Sequence, residues 1–323
     1  MYFKKNATLK LGRTMDRHSV DWHGYWVAAP TPFGDDGLID PDLHRAMIEM
    51  YIAQGVKGLV VNGSSGEWWA QTLQERKTNA ELFVTISGGR IPVIVGCSGF
   101  TPDYVVALAQ HAQHIGADGV LATAPAYVHP TQQEIFAFFS EIDQRIDLPL
   151  SIYNWPLGIG TEIEVSTMLR LAELDHVVSI KNSTGNLVAL RQAVVELSPI
   201  VRVFANLISP AGIDVIQNYG SDGFIDGGGL GAPFGVPFFE AIDAGDIDRA
   251  REVAIKYSTL MTGLWNPDFS GRFAAPVAQL KAAMQMLGQP GGVVRSPLLP
   301  LSDPSSTAQL HELLSSVGLL SVE

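Results

Sequence analysis

The chain has 323 residues, 46% of them hydrophobic and 17% charged, an ordinary composition for a soluble globular protein. Its 33 acidic against 21 basic residues leave a net charge of -12, which makes nucleic acid and anionic membranes poor partners because both require positive charge. A single cysteine, Cys97, excludes an internal disulfide and suits a reducing cytoplasm, and no apolar stretch approaches the ~20 residues of a membrane-spanning helix.

Residues 1–21 carry Lys4, Lys5, Lys10, Arg13 and Arg17 without the apolar core of a signal peptide, so they read as a flexible or docking extension. From there, short runs rich in Val and Ile recur at 25–28, 58–61, 93–95, 119–121, 150–153, 177–180, 201–204 and 223–225. They lack polar alternation, as expected of strands buried on both faces of a parallel sheet. Between them lie stretches of helical period. Leu43, Met47, Met50 and Tyr51 share one face, as do Val105, Leu108, Ala109 and Ala112.

Strand and helix in alternation imply a parallel sheet, and eight units point to a closed (β/α)8 TIM barrel over 22–245. A doubly wound open sheet would announce itself with a Gly-rich turn after the first strand. Here that position holds Ala29-Pro30-Thr31-Pro32-Phe33. After Gly245 the texture becomes wholly helical, at 246–264, 275–287 and 305–317, so 246–323 reads as a C-terminal helical extension.

In such barrels, chemistry belongs to the C-terminal ends of the strands. Lys181 follows the sixth apolar run, where desolvation would favour the neutral, nucleophilic amine. Tyr153 ends the fifth run, one strand away, and a phenol beside an amine can shuttle protons. The second strand ends in Asn62-Gly63-Ser64-Ser65-Gly66-Glu67, a cradle of hydroxyls and backbone N–H groups suited to a carboxylate. Glu67 reads as a buttress of this loop. Trp68, Trp69 and Trp155 could form an apolar wall. The glycines around Gly228, after the eighth strand, would let a ligand approach the backbone. The eight histidines are scattered, so no metal is expected.

These motifs together resemble the dihydrodipicolinate synthase / N-acetylneuraminate lyase family of class I aldolases. The resemblance spans roughly 22–300 and rests on Ala29-Pro30-Thr31-Pro32-Phe33, Gly63-Ser64-Ser65-Gly66-Glu67, Pro125-Ala126-Tyr127, Tyr153-Asn154-Trp155-Pro156 and Ile180-Lys181-Asn182-Ser183-Thr184-Gly185, in family order and spacing. It implies that Lys181 forms a Schiff base and that Tyr153 transfers protons. Ser64 and Ser65 would bind the substrate carboxylate. Tyr127 would reach into a neighbouring subunit's site, which implies a homodimer or homotetramer. The carbonyl of Ile225 would face the Schiff base.

Two departures narrow the resemblance. Synthases of the family carry an arginine where this chain has Gly158, and sialic-acid lyases carry an Asp-Glu pair near Ser209, Pro210 and Ala211. The expectation is therefore a cofactor-free lyase acting on a 2-oxo acid, by retro-aldol cleavage to pyruvate or by dehydration of a 2-keto-3-deoxy acid. Alternatives are a dihydrodipicolinate synthase or N-acetylneuraminate lyase proper, or a non-catalytic 2-oxo acid binder.

Overall fold

The computed structural model describes residues 14–320. Among them, eight parallel strands close into a barrel in sequence order. They are β1 Gly24–Ala28, β2 Leu59–Val61, β3 Val93–Gly96, β4 Gly119–Thr123, β5 Leu150–Asn154, β6 Val177–Asn182, β7 Arg202–Ala205 and β8 Gly223–Gly227. The helices are α1 Pro41–Ala53, α2 Leu73–Ser87, α3 Pro102–His114, α4 Gln132–Asp143, α5 Pro156–Ile159, α6 Val165–Leu171, α7 Leu187–Leu197, α8 Pro210–Tyr219, α9 Ala232–Ala244, α10 Ile247–Leu264, α11 Pro276–Met286 and α12 Pro304–Ser316. This is the (β/α)8 barrel with a C-terminal helical extension that the alternation implied.

Local signals explain the helix boundaries. Asp40 caps α1 by accepting from the N–H groups of Asp42 and Leu43, with Pro41 as the first helical residue. Thr72 and Glu75 form a reciprocal capping box on α2, and Thr131 and Glu134 do the same on α4. The connection after β5 holds two helices, the one-turn α5 and then α6, where the periodicity suggested one.

Most of the strands run past the C-terminal ends of their apolar runs. Lys181 lies inside β6, paired with Tyr153 on one side and Phe204 on the other. A polar residue can extend a strand when both neighbours hold its backbone, which apolarity alone does not reveal.

Two cores result. Helices pack on the outside of the barrel, while Trp26, Ala28, Val60, Ile94, Leu121, Val178, Phe204 and Ile225 fill its interior. Trp26 meets Phe204 edge-on, with ring centroids 5.6 Å apart. Gly58 is obligatory here, since a Cβ would fall 2.4 Å from the Trp26 ring.

The described part of the extension, expected to be flexible or docking, is docked across the N-terminal ends of the strands. Met15 N–H donates to the Asp175 carbonyl at 2.9 Å. Arg17 and Arg202 share Asp222 Oδ1 at 2.9 and 2.8 Å, and Arg202 also donates to the carbonyls of Arg17 and Val20. Val20 and Trp22 then close that end of the interior core. Residues 1–13 lie outside the described residues.

Candidate active site

The opposite, C-terminal end of the barrel gathers the candidate residues. The register places Tyr153 directly beside Lys181, with the Lys181 Nζ 4.0 Å from the centre of the phenol ring. Lys181 is only 8% exposed. Burial lowers its pKa to about 8, although the charge of Asp226 partly opposes the shift. Burial pushes the Tyr153 phenol above its ordinary value, with a hydrogen bond from Ser183 acting the other way. The amine is thus made easier to deprotonate, while the phenol stays a proton carrier.

Strand alternation splits the end of β8 between two environments. Ile225 joins the interior cluster that contains Tyr153. Asp226 is buried among tyrosines of the outer layer, accepting from the hydroxyls of Tyr25 and Tyr257. It also accepts from the Gly227 N–H at 2.8 Å and from the backbone of Gly231. Burial raises the Asp226 pKa, and the Tyr25 hydrogen bond opposes it. Gly228 has φ of +87°, its N–H donates to the Ala28 carbonyl, and a side chain there would collide with Leu280 of α11. Packing within the fold therefore accounts for this glycine.

The cradle after β2 is a single 3-10 turn, Ser64–Gly66, flanked by Asn62 and Glu67 at φ of 57° and 52°. Two non-glycine residues in the left-handed region are strained unless fixed from outside. Both are fixed. The Asn62 amide donates to the Arg76 carbonyl and its oxygen accepts from Asn79, which also donates to Thr31. Glu67 is fully buried, 2.6 Å from Lys281 of α11, and accepts from the Arg295 N–H at 3.0 Å. Lys281 also donates to the carbonyls of Thr31 and Val293, at 2.8 and 2.6 Å. Glu67 is thus the expected buttress. Ser65 lies against β8, its Oγ 3.1 Å from where a Cβ on Gly227 would sit.

A cavity of about 250 Å³ adjoins the surroundings of Tyr153, lined by Ser64, Trp68, Trp69, Phe100, Thr123, Trp155 and small neighbours including Gly158. All three tryptophans expected as a wall face it. Trp155 stacks on Tyr153, its plane within 2° and its centroid 5.9 Å away. Gly158 makes room for this pose, since a Cβ there would sit 2.2 Å from the Trp155 ring. Tyr127 is not brought to this site. It is 87% exposed on the loop after β4, at φ of 73°. Ser209 caps α8 by accepting from Gly212 N–H, and Pro210 begins that helix.

Sequence reasoning missed Thr123, Phe100, Asp226, Lys281 and Arg295. Thr123 could have been found, because it ends β4 and sits in register with Tyr153. Phe100 lies four residues beyond β3. Lys281 and Arg295 carry no local signal, as they meet Glu67 across more than 200 residues. No cluster of three or more His, Cys, Asp or Glu among the described residues is arranged to hold a metal ion.

The sequence matches the dihydrodipicolinate synthetase family over residues 21–317. An uncharacterized DapA-like lyase of Rhizobium meliloti is 32% identical over 88% of this chain and 92% of its own. A 4-hydroxy-tetrahydrodipicolinate synthase of Acidiphilium cryptum is 31% identical over 93% of this chain and 99% of its own. The structure superimposes on a pyruvate-bound dihydrodipicolinate synthase of Acinetobacter baumannii with a TM-score of 0.83 and 26% identity, covering 92% of this chain and 99% of that one.

Proposed function

The chain belongs to the dihydrodipicolinate synthetase family, and on that premise we propose that Lys181 condenses with the C2 carbonyl of a 2-oxo acid in a Schiff-base-forming lyase reaction. The observation that carries this reading is the buried amine of Lys181, 4.0 Å from the centre of the Tyr153 ring.

The neutral amine attacks C2, and Tyr153 passes protons as the carbinolamine forms and loses water. Hydroxyls and N–H groups of the Ser64–Gly66 turn hold the carboxylate. The protonated imine then withdraws electrons from C3. In retro-aldol cleavage the C4 hydroxyl gives up its proton, the C3–C4 bond breaks and an aldehyde leaves. The resulting enamine is protonated at C3, and hydrolysis releases pyruvate. In dehydration, C3 loses a proton instead and the C4 hydroxyl departs as water. Both routes share the imine.

The exposure of Tyr127 supports a homo-oligomer, dimer or tetramer, in which this side chain completes a neighbour's site. We assign the protein to the cytoplasm. Among the described residues no helix is long and apolar enough to cross a membrane.

Borohydride reduction in the presence of pyruvate tests the central claim. The expected result is a stable adduct on the peptide containing Lys181. An unmodified peptide would refute the mechanism. The names of the synthase relatives favour a second reading, condensation of pyruvate with aspartate semialdehyde. Gly158 opposes it, because the position that would hold the aldehyde's carboxylate offers no cation. Direct assay of that condensation separates the two.

A further inference from the structure

The site has two halves, and only the imine half is common to every reading above. The 250 Å³ cavity, whose Trp155 stacks on Tyr153 and whose Thr123 sits in register with it, is assigned to the other half, the group attached to C4. Four aromatic side chains face it, namely Trp68, Trp69, Phe100 and Trp155. Its lining includes no lysine, arginine, aspartate or glutamate, and its side-chain hydrogen-bonding groups are the hydroxyls of Ser64 and Thr123 and the indole N–H donors of the tryptophans.

A second carboxylate placed here would lose water without gaining a cation, and a polyhydroxylated chain would bury several hydroxyls against a wall that is mostly aromatic carbon. An aromatic ring carries neither penalty and gains stacked and edge contacts. The aromatic wall is also built in place. Trp155 lies flat on Tyr153, and Gly158 clears the space its ring occupies. Trp68 meets Trp69 at 73° with centroids 6.4 Å apart, which presents a corner of one face and one edge.

We infer that the leaving aldehyde is an aromatic one, so that the substrate class is 4-aryl-4-hydroxy-2-oxobutanoates. This rests on the Schiff-base reading of Lys181. The step balances without a further reactant. The C4 hydroxyl proton is lost, the C3–C4 bond breaks, and the electron pair passes into the imine. Protonation at C3 and hydrolysis give one arylaldehyde and one pyruvate per substrate.

The test measures pyruvate release by the intact protein from three substrates that share the 4-hydroxy-2-oxo acid unit and differ in the group on C4. These are 4-hydroxy-2-oxo-4-phenylbutanoate, 2-keto-3-deoxygluconate and 4-hydroxy-2-oxoglutarate. The expected kcat/KM for the phenyl compound exceeds the other two by about 100-fold, the scale of one lost pocket fit combined with one unmatched polar group. Equal or faster turnover of the sugar acid or the diacid overturns the inference. Borohydride trapping with pyruvate runs in parallel. An adduct on Lys181 with an inert phenyl compound overturns the aryl assignment alone, whereas no adduct removes the imine reading beneath it. Trp69→Ala, at a partly exposed position, is expected to raise KM for the phenyl compound about tenfold. An unchanged KM counts against the aromatic wall.

Discussion

Burial of Lys181 makes a quantitative prediction about pH. Its pKa falls from the ordinary 10.5 to about 8. At pH 7 the neutral fraction then rises from about 0.03% to about 10%, a gain of roughly 300-fold, equivalent to ~3 kcal/mol of differential stabilisation. The rate of imine formation with pyruvate, followed by quenched borohydride trapping from pH 6 to 10, should climb about tenfold per unit and level off near pH 8. Tyr153→Phe keeps the ring beneath the amine but removes the hydroxyl. It should leave the inflection near 8 while slowing the reaction by ~10²-fold or more. An inflection near 10 would refute the desolvated amine. Stability carries the same signature. Because the native pKa is lowered, the unfolded state binds more protons between pH 8 and 10.5, and stability rises with pH across that window. In Lys181→Met this rise should vanish.

Other substitutions address the scaffold and the wall. Lys281→Met strands the buried Glu67 carboxylate and should cost about 3–5 kcal/mol, while the double variant with Glu67→Gln should lose less. Thermal unfolding reads both, and equal losses would mean that the pair is not coupled. Gly158→Ala should displace Trp155 and raise KM for the cleaved substrate about tenfold, as steady-state kinetics would reveal. Asp226→Ala leaves the Tyr25 hydroxyl buried without its acceptor, and a loss of ~1–3 kcal/mol is expected in denaturant titration.

The barrel was legible because parallel strands are buried on both faces, so runs such as Val93-Ile94-Val95 stand out without alternation. The placement of Lys181 beside Tyr153 was legible because one follows such a run, the other ends one, and the runs are neighbours. The strand ends were less so, since Asn154 and Asn182 belong to strands for reasons of pairing rather than apolarity. Trp155 could be named from its motif, but its stacked pose depends on the missing Cβ at Gly158. Asp226 was hidden in a glycine-rich stretch, because its burial is set by Tyr25 and Tyr257, one on β1 and the other on α10. The docking of Arg17 and Val20 depends likewise on Arg202, far along the chain.

The Glu67–Lys281 pair joins the second strand–helix loop to the eleventh helix. During synthesis, Glu67 and the whole barrel emerge from the ribosome well before Lys281 and Arg295. Until those residues arrive, the serine turn lacks the cation and the N–H group that hold its strained flank. A growing chain could therefore present a reactive amine before it presents a carboxylate cradle. Chains ending before Lys281 are expected to bind 2-oxo acids weakly even with all eight strands present, which pyruvate-dependent trapping on such truncations would detect. Competence would then wait on α11 and the segment carrying Arg295, which steady a cavity they do not line.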